Sequence, residues 1–548
     1  MRSRAAPAVV NTLWVAGQLG AWHRFKRAAR QPQEAQSDRL RRYVRANRDT
    51  EFGRQHRFAS IRSVDDYRER VSIRTYDEME PFIHRISRGE PNVLTAEAVE
   101  RLVPSSGSTR AAKLIPFTPA LRREFTAAVG AWVVDMFSQT PRALAGRAYW
   151  SISPATAAVP DDAASSVPIG FEDDAMYLGL ASRTLARAVL AVPPEIRFIS
   201  PGAFTYATMV FLLRARELRI VSVWHPSFFE RLLDTWARHA DALLRDVHDG
   251  TLRPPDSDQQ DPVLVRLART LTPRPHIAKE LRRGAADDIR GLWPHLQSVS
   301  CWADGASAGP AASLARRLGA VTVAPKGLLA TEGIVTIPFG GRHPLAVTSH
   351  FLEFATDDGR VHDAHELQPG REYGVVLTTG GGLYRYRLGD RVRVDGFVDA
   401  APSLRLVGRD DRVSDLFGEK LSEGFVGSVL ASIFHAAPRF AMLAPEETPG
   451  GVAYTLFVDR ECSRRHEDLA RRLEHELRRN PHYAWCVDVG QLQRARIVSV
   501  GPAATQVYLD ERVARGQRLG DVKPTRLDTG MDWGRVLPRV TAGDPVPC

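Results

Sequence analysis

The chain has 548 residues, of which 44% are hydrophobic and 25% are charged, and its formal net charge is +10. This composition is typical of a globular protein of about two to four domains, and it excludes the collagen-like, disordered and disulfide-framework classes. The positive charge is dispersed, because arginines stand beside acidic residues at positions such as 122–124 and 464–468, so we expect no nucleic-acid partner.

Neither the N-terminal segment nor the cysteines indicate a secreted or membrane protein. The apolar stretch from Ala5 to Trp22 lacks the small-residue cleavage site of a signal peptide. No run of about eighteen apolar residues occurs, so we expect a cytoplasmic protein without stable membrane insertion. The four cysteines lie far apart without metal-ligand spacing, and we expect free thiols and no structural zinc.

Helices are predicted in the first half of the chain from apolar residues at helical spacing. Two amphipathic surface helices are expected over residues 32–47 and 119–137. Ser227 and Glu230 have the spacing of a capping box, and the apolar residues from Leu232 to Leu244 form one stripe behind them. A third helix is therefore expected to begin at Ser227.

Strand patterns dominate from about residue 374 onward. Runs of β-favouring residues at 375–378, 391–394 and 404–407, separated by glycines, predict strands that lead to Gly408.

The C-terminal part alternates between strand and helix patterns. A strand at 454–458, a charged helix through Leu473 and a further strand at 497–500 predict a small α/β domain. We place a hinge near Asp410 and Asp411. The predicted domains are residues 1–409 and residues 410–548.

A run of small hydroxyl residues around a glycine occupies positions 104–113, with the sequence PSSGSTRAAK. In such a loop, backbone N–H groups and hydroxyls converge on phosphate oxygens, and a lysine offsets their charge. It is not a Walker A loop, because the second glycine and the Ser/Thr after the lysine are absent. The alternative for this motif alone is a flexible loop.

Two further motifs place carboxylates at the ends of predicted strands. Thr331 and Glu332 stand between the apolar runs 321–323 and 334–337. At the end of a strand the threonine hydroxyl can contact phosphate and the glutamate carboxylate can bind Mg²⁺. The alternative for this pair is a polar turn with a solvated glutamate. Asp390 follows a glycine in the segment GLYRYRLGD, where a carboxylate can accept hydrogen bonds from ribose hydroxyls.

The three motifs occur in this order and are followed by 408–411 (GRDD) and 418–423 (GEKLSE). This combination resembles the adenylate-forming superfamily of acyl-CoA ligases, luciferases and peptide-synthetase adenylation domains. The closer resemblance is to its acyl-acid amido synthetase branch, the auxin-responsive Gretchen Hagen family, and especially to its bacterial members. Segments 47–54, 86–95, 114–118 and 521–524 also look like that family.

The resemblance covers residues from about Pro32 to Leu527 and implies an α/β fold. The large N-terminal adenylate-forming domain would consist of helices and β-sheets and would bind ATP and the acyl acid. A small mobile α/β domain would follow it at the C-terminus.

The resemblance also implies roles for individual residues. The ATP phosphates would be bound by Ser105, Ser106, Gly107, Ser108, Thr109 and Lys113. Thr331 would contact the α-phosphate, and Glu332 would bind Mg²⁺. Asp390 would hold the ribose hydroxyls with help from Arg409. Lys420 or Lys523 would lie over the reacting carboxylate.

The sequence departs from the family pattern in two places. Arg110 and Ala111 stand where the phosphate loop usually has a glycine, which leaves two alternatives: a stiffer loop, or an Arg110 side chain that itself reaches phosphate. Leu328 stands where an aromatic residue usually covers adenine, and we expect it to cover the ring by apolar contact. The chain has only six lysines among 74 basic residues, and Lys113, Lys420 and Lys523 fall within motif segments.

The implied enzyme is an acid–amino acid ligase that uses ATP and Mg²⁺. A small carboxylic acid would be adenylated, and its acyl group would pass to an amine, in particular an amino acid. The acyl pocket is expected around Phe204, Tyr206, Trp224 and Phe228. Two alternatives remain: a ligase that forms thioesters with coenzyme A or a carrier protein, and a non-catalytic nucleotide-binding regulator. We expect a monomer.

Overall fold

The computed structural model describes residues 2–105, 113–151, 165–170, 188–255, 257–284, 288–409, 413–414, 416–417, 419–434, 436–459, 466–488, 491–515, 517, 522 and 524–538. None of the helices in these ranges combines the length and the hydrophobicity that crossing a bilayer requires.

The N-terminal part is helical. Its elements are α1 (Arg2–Arg30), α2 (Pro32–Ala46), α3 (Glu51–Gln55), α4 (Val64–Arg70), α5 (Tyr76–Ser87), the antiparallel strands β1 (Arg101–Pro104) and β2 (Leu114–Phe117), and α6 (Pro119–Gln139). The helix α1 packs along α6, and a Cβ atom at Gly130 would lie 3.2 Å from the Cβ atom of Ala21. The glycine therefore allows the two helices to approach closely.

A four-stranded parallel sheet follows. Its order is β3 (Arg147–Trp150), β4 (Leu218–Ser222), β5 (Ser298–Cys301) and β6 (Thr322–Pro325). Its helices are α7 (Pro201–Arg214), α8 (Pro226–Asp249), α9 (Pro262–Ala268), α10 (Pro275–Arg283), α11 (Ile289–Leu292) and α12 (Ala308–Leu318). Phe229, Leu232 and Trp293 are fully buried in the core that these elements share. Because the strands are parallel, their carboxyl ends all lie at one edge of the sheet.

The central sheet is antiparallel, with the strand order β11-β10-β9-β7-β8. Its strands are β7 (Phe351–Ala355), β8 (Val361–Asp363), β9 (Glu372–Thr378), β10 (Tyr386–Val398) and β11 (Ala401–Arg409). Leu388, Val392 and Val394 are buried on its inner face. The register pairs Asp390 of β10 with Arg409 of β11, which brings two of the predicted site residues together.

The C-terminal part contains β12 (Val413–Ser414), β13 (Leu421–Ser422), α13 (Glu423–Ile433), β14 (Ala441–Thr448), β15 (Gly451–Asp459), α14 (His466–Leu477), α15 (Pro481–Asp488), β16 (Leu492–Val500), α16 (Ala504–Ala514) and α17 (Trp533–Val536). The strands β14, β15 and β16 form one sheet with its own apolar core. Short 3-10 helices also occur, at Phe58–Ser60, Pro141–Ala145, Pro194–Phe198, Gly305–Ser307 and Ala364–Glu366.

The predicted fold class, with a large N-terminal part and a small C-terminal α/β part, is confirmed. The predicted helices at 32–47 and 119–137 and the predicted strands at 375–378, 391–394 and 404–407 are present. The strands at 454–458 and 497–500 and the helix between them are also present. The boundary between 409 and 410 stays a prediction, because Asp410 and Asp411 lie outside the described residues.

Three local predictions are corrected. Helix α6 is not a surface helix, since residues on all its faces are buried against α1 and the main core. Helix α8 is capped by His225, whose ring accepts a hydrogen bond from the Ser227 N–H, so Ser227 is not its N-cap. The apolar run at 334–337 forms isolated bridges and no strand.

A buried carboxylate in α6 connects the helical layer to the central sheet. Glu124 is 3% exposed and accepts hydrogen bonds from the Tyr43 hydroxyl at 2.8 Å and the Gly380 N–H at 3.0 Å. The His350 Nδ1 atom lies 2.9 Å from its second oxygen. Gly380 belongs to the turn that follows β9 and leads into β10, so this network holds the start of the strand that carries Asp390.

We expect the substitution Glu124→Ala to lower the free energy of unfolding by about 3 kcal/mol, because it leaves several buried donors without an acceptor. Arg123→Ala is the matched control on the same helix: the Arg123 side chain is 64% exposed and pairs with Glu97, so its loss should cost less than about 1 kcal/mol. Urea unfolding of both variants measures the difference. Equal midpoints would contradict the proposed role of Glu124.

Candidate active site

The predicted phosphate loop is the connection between β1 and β2. These strands pair with Pro104 opposite Leu114, and the Ser105 N–H donates to the Lys113 carbonyl at 2.8 Å. The loop therefore starts and ends at adjacent backbone positions. Ser106, Gly107, Ser108, Thr109, Arg110 and Ala111 lie outside the described residues.

Lys113 and Tyr76 flank this loop. The Lys113 ammonium lies 5.6 Å from the centre of the Tyr76 ring, and the Tyr76 hydroxyl accepts a hydrogen bond from the Leu114 N–H at 2.8 Å. Burial raises the pKa of Tyr76 to about 12, and the nearby negative charges of Glu80 and Glu332 act in the same direction. The phenol is therefore neutral at physiological pH.

Thr331 and Glu332 form the tip of a tight turn. The Ala330 N–H donates to the Gly333 carbonyl at 2.9 Å, and the Gly333 N–H donates back at 3.2 Å. A Cβ atom at Gly333 would lie 2.9 Å from the His350 Nε2 atom, so only glycine fits beside the histidine. Glu332 is 8% exposed at this turn, and Thr331 is half-buried.

Asp390 is 2% exposed and binds Arg409 through one oxygen only. The Arg409 Nη1 atom donates to Asp390 Oδ1 at 2.8 Å, and Nη2 donates to the Leu388 carbonyl at 3.1 Å. Asp390 Oδ2 is buried and accepts no hydrogen bond from any described residue. A buried acceptor without a donor is costly, so this oxygen fits a ligand hydroxyl.

The charges of these groups act on Glu332. Burial raises the pKa of Glu332, the positive charges of Arg409 and Lys113 lower it, and the negative charge of Asp390 raises it. Charges act on one another in this way only over short distances. The structure therefore brings Lys113, Glu332, Asp390 and Arg409 together from three distant segments.

A cavity of about 1160 Å³ adjoins this cluster. Gly389 and Asp390 line it on one side, the loop at 303–305 after β5 lines another, and Arg526 reaches it from the C-terminal part. The Arg526 Nη2 atom donates to the Gly305 carbonyl at 2.6 Å. Of the four clustered residues only Asp390 lines the cavity, so the cavity meets the cluster at this carboxylate.

Sequence analysis missed Asp304, Gly305 and Arg526 as cavity residues. For Asp304 and Gly305 the sequence offered one signal, a strand followed by a turn of small residues and a helix at 298–318. Gly305 has φ +57°, a left-handed conformation that favours glycine. Burial raises the pKa of Asp304, while His343 and Arg405 act in the opposite direction.

Three further predicted residues are Leu328, Lys420 and Lys523, and no hydrogen bond or ion pair between described residues connects them to the cluster. Leu328 is buried in the main core, and its N–H donates to Thr336 Oγ1 at 2.8 Å. Lys420 is exposed, and its carbonyl accepts from Asn480 at 3.2 Å. Lys523 lies outside the described residues. Their roles stay predictions.

The prediction of an acyl pocket around four aromatic residues is corrected for three of them. Phe204, Tyr206 and Phe228 are buried in the core of the parallel sheet, and the Tyr206 hydroxyl donates to Asp246 at 2.9 Å. These side chains hold α7 against α8. Trp224 differs, because it is only half-buried and lies just after the end of β4.

Comparison with known proteins relates most of the chain to one family. Residues 21–316 match the GH3 family N-terminal domain, and residues 344–409 match the GH3 family central domain. GH3 is the abbreviation of the Gretchen Hagen family.

Curated plant proteins are similar over most of their length. A probable indole-3-acetic acid-amido synthetase, GH3.12 of Oryza sativa subsp. japonica, is 26% identical over 456 residues, which cover 74% of this chain and 73% of the relative. The indole-3-acetic acid-amido synthetase GH3.8 of Oryza sativa subsp. indica is 25% identical over 509 residues, which cover 85% and 80%.

Solved structures share the fold. The acyl acid amido synthetase AtGH3.15 superposes with a TM-score of 0.81 at 17% identity, over 96% of this chain and 97% of that one. A 2-hydroxyisobutyryl-CoA ligase, an adenylate-forming enzyme, superposes with a TM-score of 0.51 at 12% identity, over 93% and 91%. Since the N-terminal family domain alone covers more than half of the residues, this chain belongs to the GH3 family.

Proposed function

We propose that this protein is a ligase that uses ATP to adenylate a carboxylic acid and transfers the acyl group to the amine of an amino acid. The observation that carries the proposal is the cluster of Lys113, Glu332, Asp390 and Arg409, with both carboxylates buried, in a chain of the GH3 family. Relatives of the chain are named as amido synthetases that act on indole-3-acetic acid.

The described side chains fit a nucleotide with its metal ion. The buried Asp390 Oδ2 atom can accept hydrogen bonds from ribose hydroxyls, and Arg409 keeps the carboxylate oriented. Glu332 offers a carboxylate of the hard-oxygen type that Mg²⁺ prefers, and Thr331 beside it offers a hydroxyl. When bound, Mg²⁺ neutralises negative charge on the phosphate groups.

The first half-reaction joins two anions. A carboxylate oxygen of the acid attacks the α-phosphorus of ATP, and pyrophosphate leaves, which gives the acyl-adenylate. Lys113 and the loop that it ends would offset the charge of the phosphates, and Asp390 would hold the ribose so that the reacting atoms are in line. Lys420 or Lys523 would orient the acid carboxylate after a movement of the C-terminal part.

The second half-reaction forms the amide. The amine nitrogen attacks the acyl carbon, the bond to AMP breaks, and the nitrogen loses a proton to solvent. Arg526, which donates to the carbonyl groups of Gly305 and Val407, connects the C-terminal part to the cavity wall. Rotation of that part to admit the amine would require these hydrogen bonds to break.

The proposal predicts that Glu332→Ala and Asp390→Ala each lower acid-dependent pyrophosphate release at least about 100-fold, because each removes a group that positions the nucleotide or its metal. A library of carboxylic acids identifies a substrate for the assay. Asp358→Ala is the control, since Asp358 is exposed in a turn of the central sheet and should leave the rate unchanged. A site variant with the full rate would remove that residue from the mechanism.

The acceptor is tested by supplying the adenylated acid with either amino acids or coenzyme A. We expect AMP release to be stimulated by an amino acid and an acyl-amide to form. Stimulation by coenzyme A alone, with a thioester as product, would assign the protein to the thioester-forming ligases. ATP binding without pyrophosphate release across the whole acid library would instead indicate a non-catalytic regulator.

The pH dependence of kcat/KM for ATP follows from the charges around Glu332. This carboxyl group must be ionised to bind Mg²⁺. Because burial raises the pKa of Glu332, we expect kcat/KM for ATP to fall on the acid side at a pH above the ordinary glutamate range. Arg409→Gln removes a charge that lowers this pKa, so the acid limb should move to higher pH. Arg409→Lys keeps the charge and should leave the limb in place. An identical limb in wild type and Arg409→Gln would contradict the assignment.

A further inference from the structure

A buried histidine lies behind the turn that carries Thr331 and Glu332, and the mechanism above does not use it. His350 directly precedes β7 and is 0% exposed. Its Nδ1 atom lies 2.9 Å from Glu124 Oε2, whereas its Nε2 atom has no hydrogen-bond partner among the described residues. A buried polar atom without a partner needs a specific explanation.

The Nε2 edge of this ring stands against the backbone of Gly333. A Cβ atom at Gly333 would lie 2.9 Å from His350 Nε2 and 3.0 Å from Cδ2, and the three heavy atoms nearest to it all belong to this ring. Gly333 does not have a left-handed φ, so its backbone conformation would accept an alanine. The ring therefore contacts the turn exactly where any other residue would carry a side chain.

The ring itself is held from three sides. Glu124 binds its Nδ1 atom, and Phe125 of the same helix packs edge-on against it, with ring centres 6.0 Å apart. Gln36 of α2 donates to the His350 carbonyl at 2.7 Å. His350 thus forms a rigid support on the inner side of the turn.

The turn needs such a support because its own side chains do not fix it. No described side chain donates a hydrogen bond to the Glu332 carboxylate, which accepts one from its own N–H. The backbone of the turn therefore sets where this carboxylate lies. Glu124 reaches this backbone through His350, and it reaches the turn that leads to β10 directly, through the Gly380 N–H at 3.0 Å.

We propose that His350 is a positioning residue of the reaction, which carries the Glu124 network to the turn at 331–333 and thereby sets where Glu332 meets the metal ion of the nucleotide. The histidine itself touches neither substrate nor metal. This inference rests on the proposed ligase function, in which Glu332 binds Mg²⁺.

The substitution His350→Asn separates the two edges of the ring. An asparagine amide can still donate to Glu124 from the position of Nδ1, but it leaves the space beside Gly333 empty. We expect the Mg²⁺ concentration for half-maximal ATP–pyrophosphate exchange to rise about 10-fold, because the turn is no longer held in place. The KM for the carboxylic acid should change less than about threefold. His365→Asn, in an exposed 3-10 helix, is the control and should change neither value.

A second substitution tests the contact from the other side. Gly333→Ala pushes the turn away from the ring and should also raise the half-maximal Mg²⁺ concentration about 10-fold. In the double variant the alanine methyl group occupies the space that the asparagine leaves, so we expect a value within about threefold of wild type. Independent sites would instead give a product of about 100-fold.

Three results would overturn the inference. The first is wild-type Mg²⁺ dependence in either single variant, and the second is a double variant in which the two effects multiply. The third is a loss of exchange in His350→Asn that urea unfolding accounts for by a smaller folded fraction, since a purely structural role predicts that result.

If no carboxylic acid supports exchange, the ligase function fails, and calorimetric titration with ATP then decides the inference separately. Tighter binding of ATP with Mg²⁺ than with EDTA in wild type, and a smaller difference in His350→Asn, supports it. Absence of Mg²⁺-dependent ATP binding in wild type, or equal dependence in the two proteins, overturns it.

Discussion

Two buried carboxylates with two cations near them are the constraint on which the rest of the site depends. Glu332 and Asp390 are 8% and 2% exposed, so keeping both ionised is costly, and the negative charge of Asp390 raises the pKa of Glu332. Arg409 and Lys113 offset the cost, but Arg409 binds only one oxygen of Asp390. The arrangement leaves a buried acceptor, and a ligand with neighbouring hydroxyls satisfies it.

The surrounding fold keeps these charges in place. The register of β10 against β11 sets Asp390 opposite Arg409, and the Glu124 network holds the turn from which β10 starts. The next residues of that turn are held by a second buried pair, in which Arg385 Nε donates to Glu353 at 2.9 Å. Arg385 adopts the left-handed φ of 48°, which these contacts stabilise. Buried polar contacts at Gly380 and Arg385 therefore hold the segment that leads into the strand of Asp390.

Much of the fold could be predicted from local sequence patterns, whereas the site residues set by long-range contacts could not. Helix α2 and strands β9, β10 and β11 have clear apolar periodicity. The motifs and the family resemblance that they carry had named all four members of the charged cluster. The burial of α6 was missed because it depends on α1, a helix distant in sequence, which packs against Gly130 and Phe137. Arg526 carries no local signal, since the carbonyl groups that it contacts, of Gly305 and Val407, are distant in sequence.

The central claim is that one nucleotide spans the three distant segments, and a crystal structure with bound AMP tests it most directly. The account predicts that the ribose hydroxyls donate to the Asp390 carboxylate and that the phosphate lies between the Lys113 loop and the turn at Thr331. AMP bound at another surface, or a ribose without contact to Asp390, would contradict it.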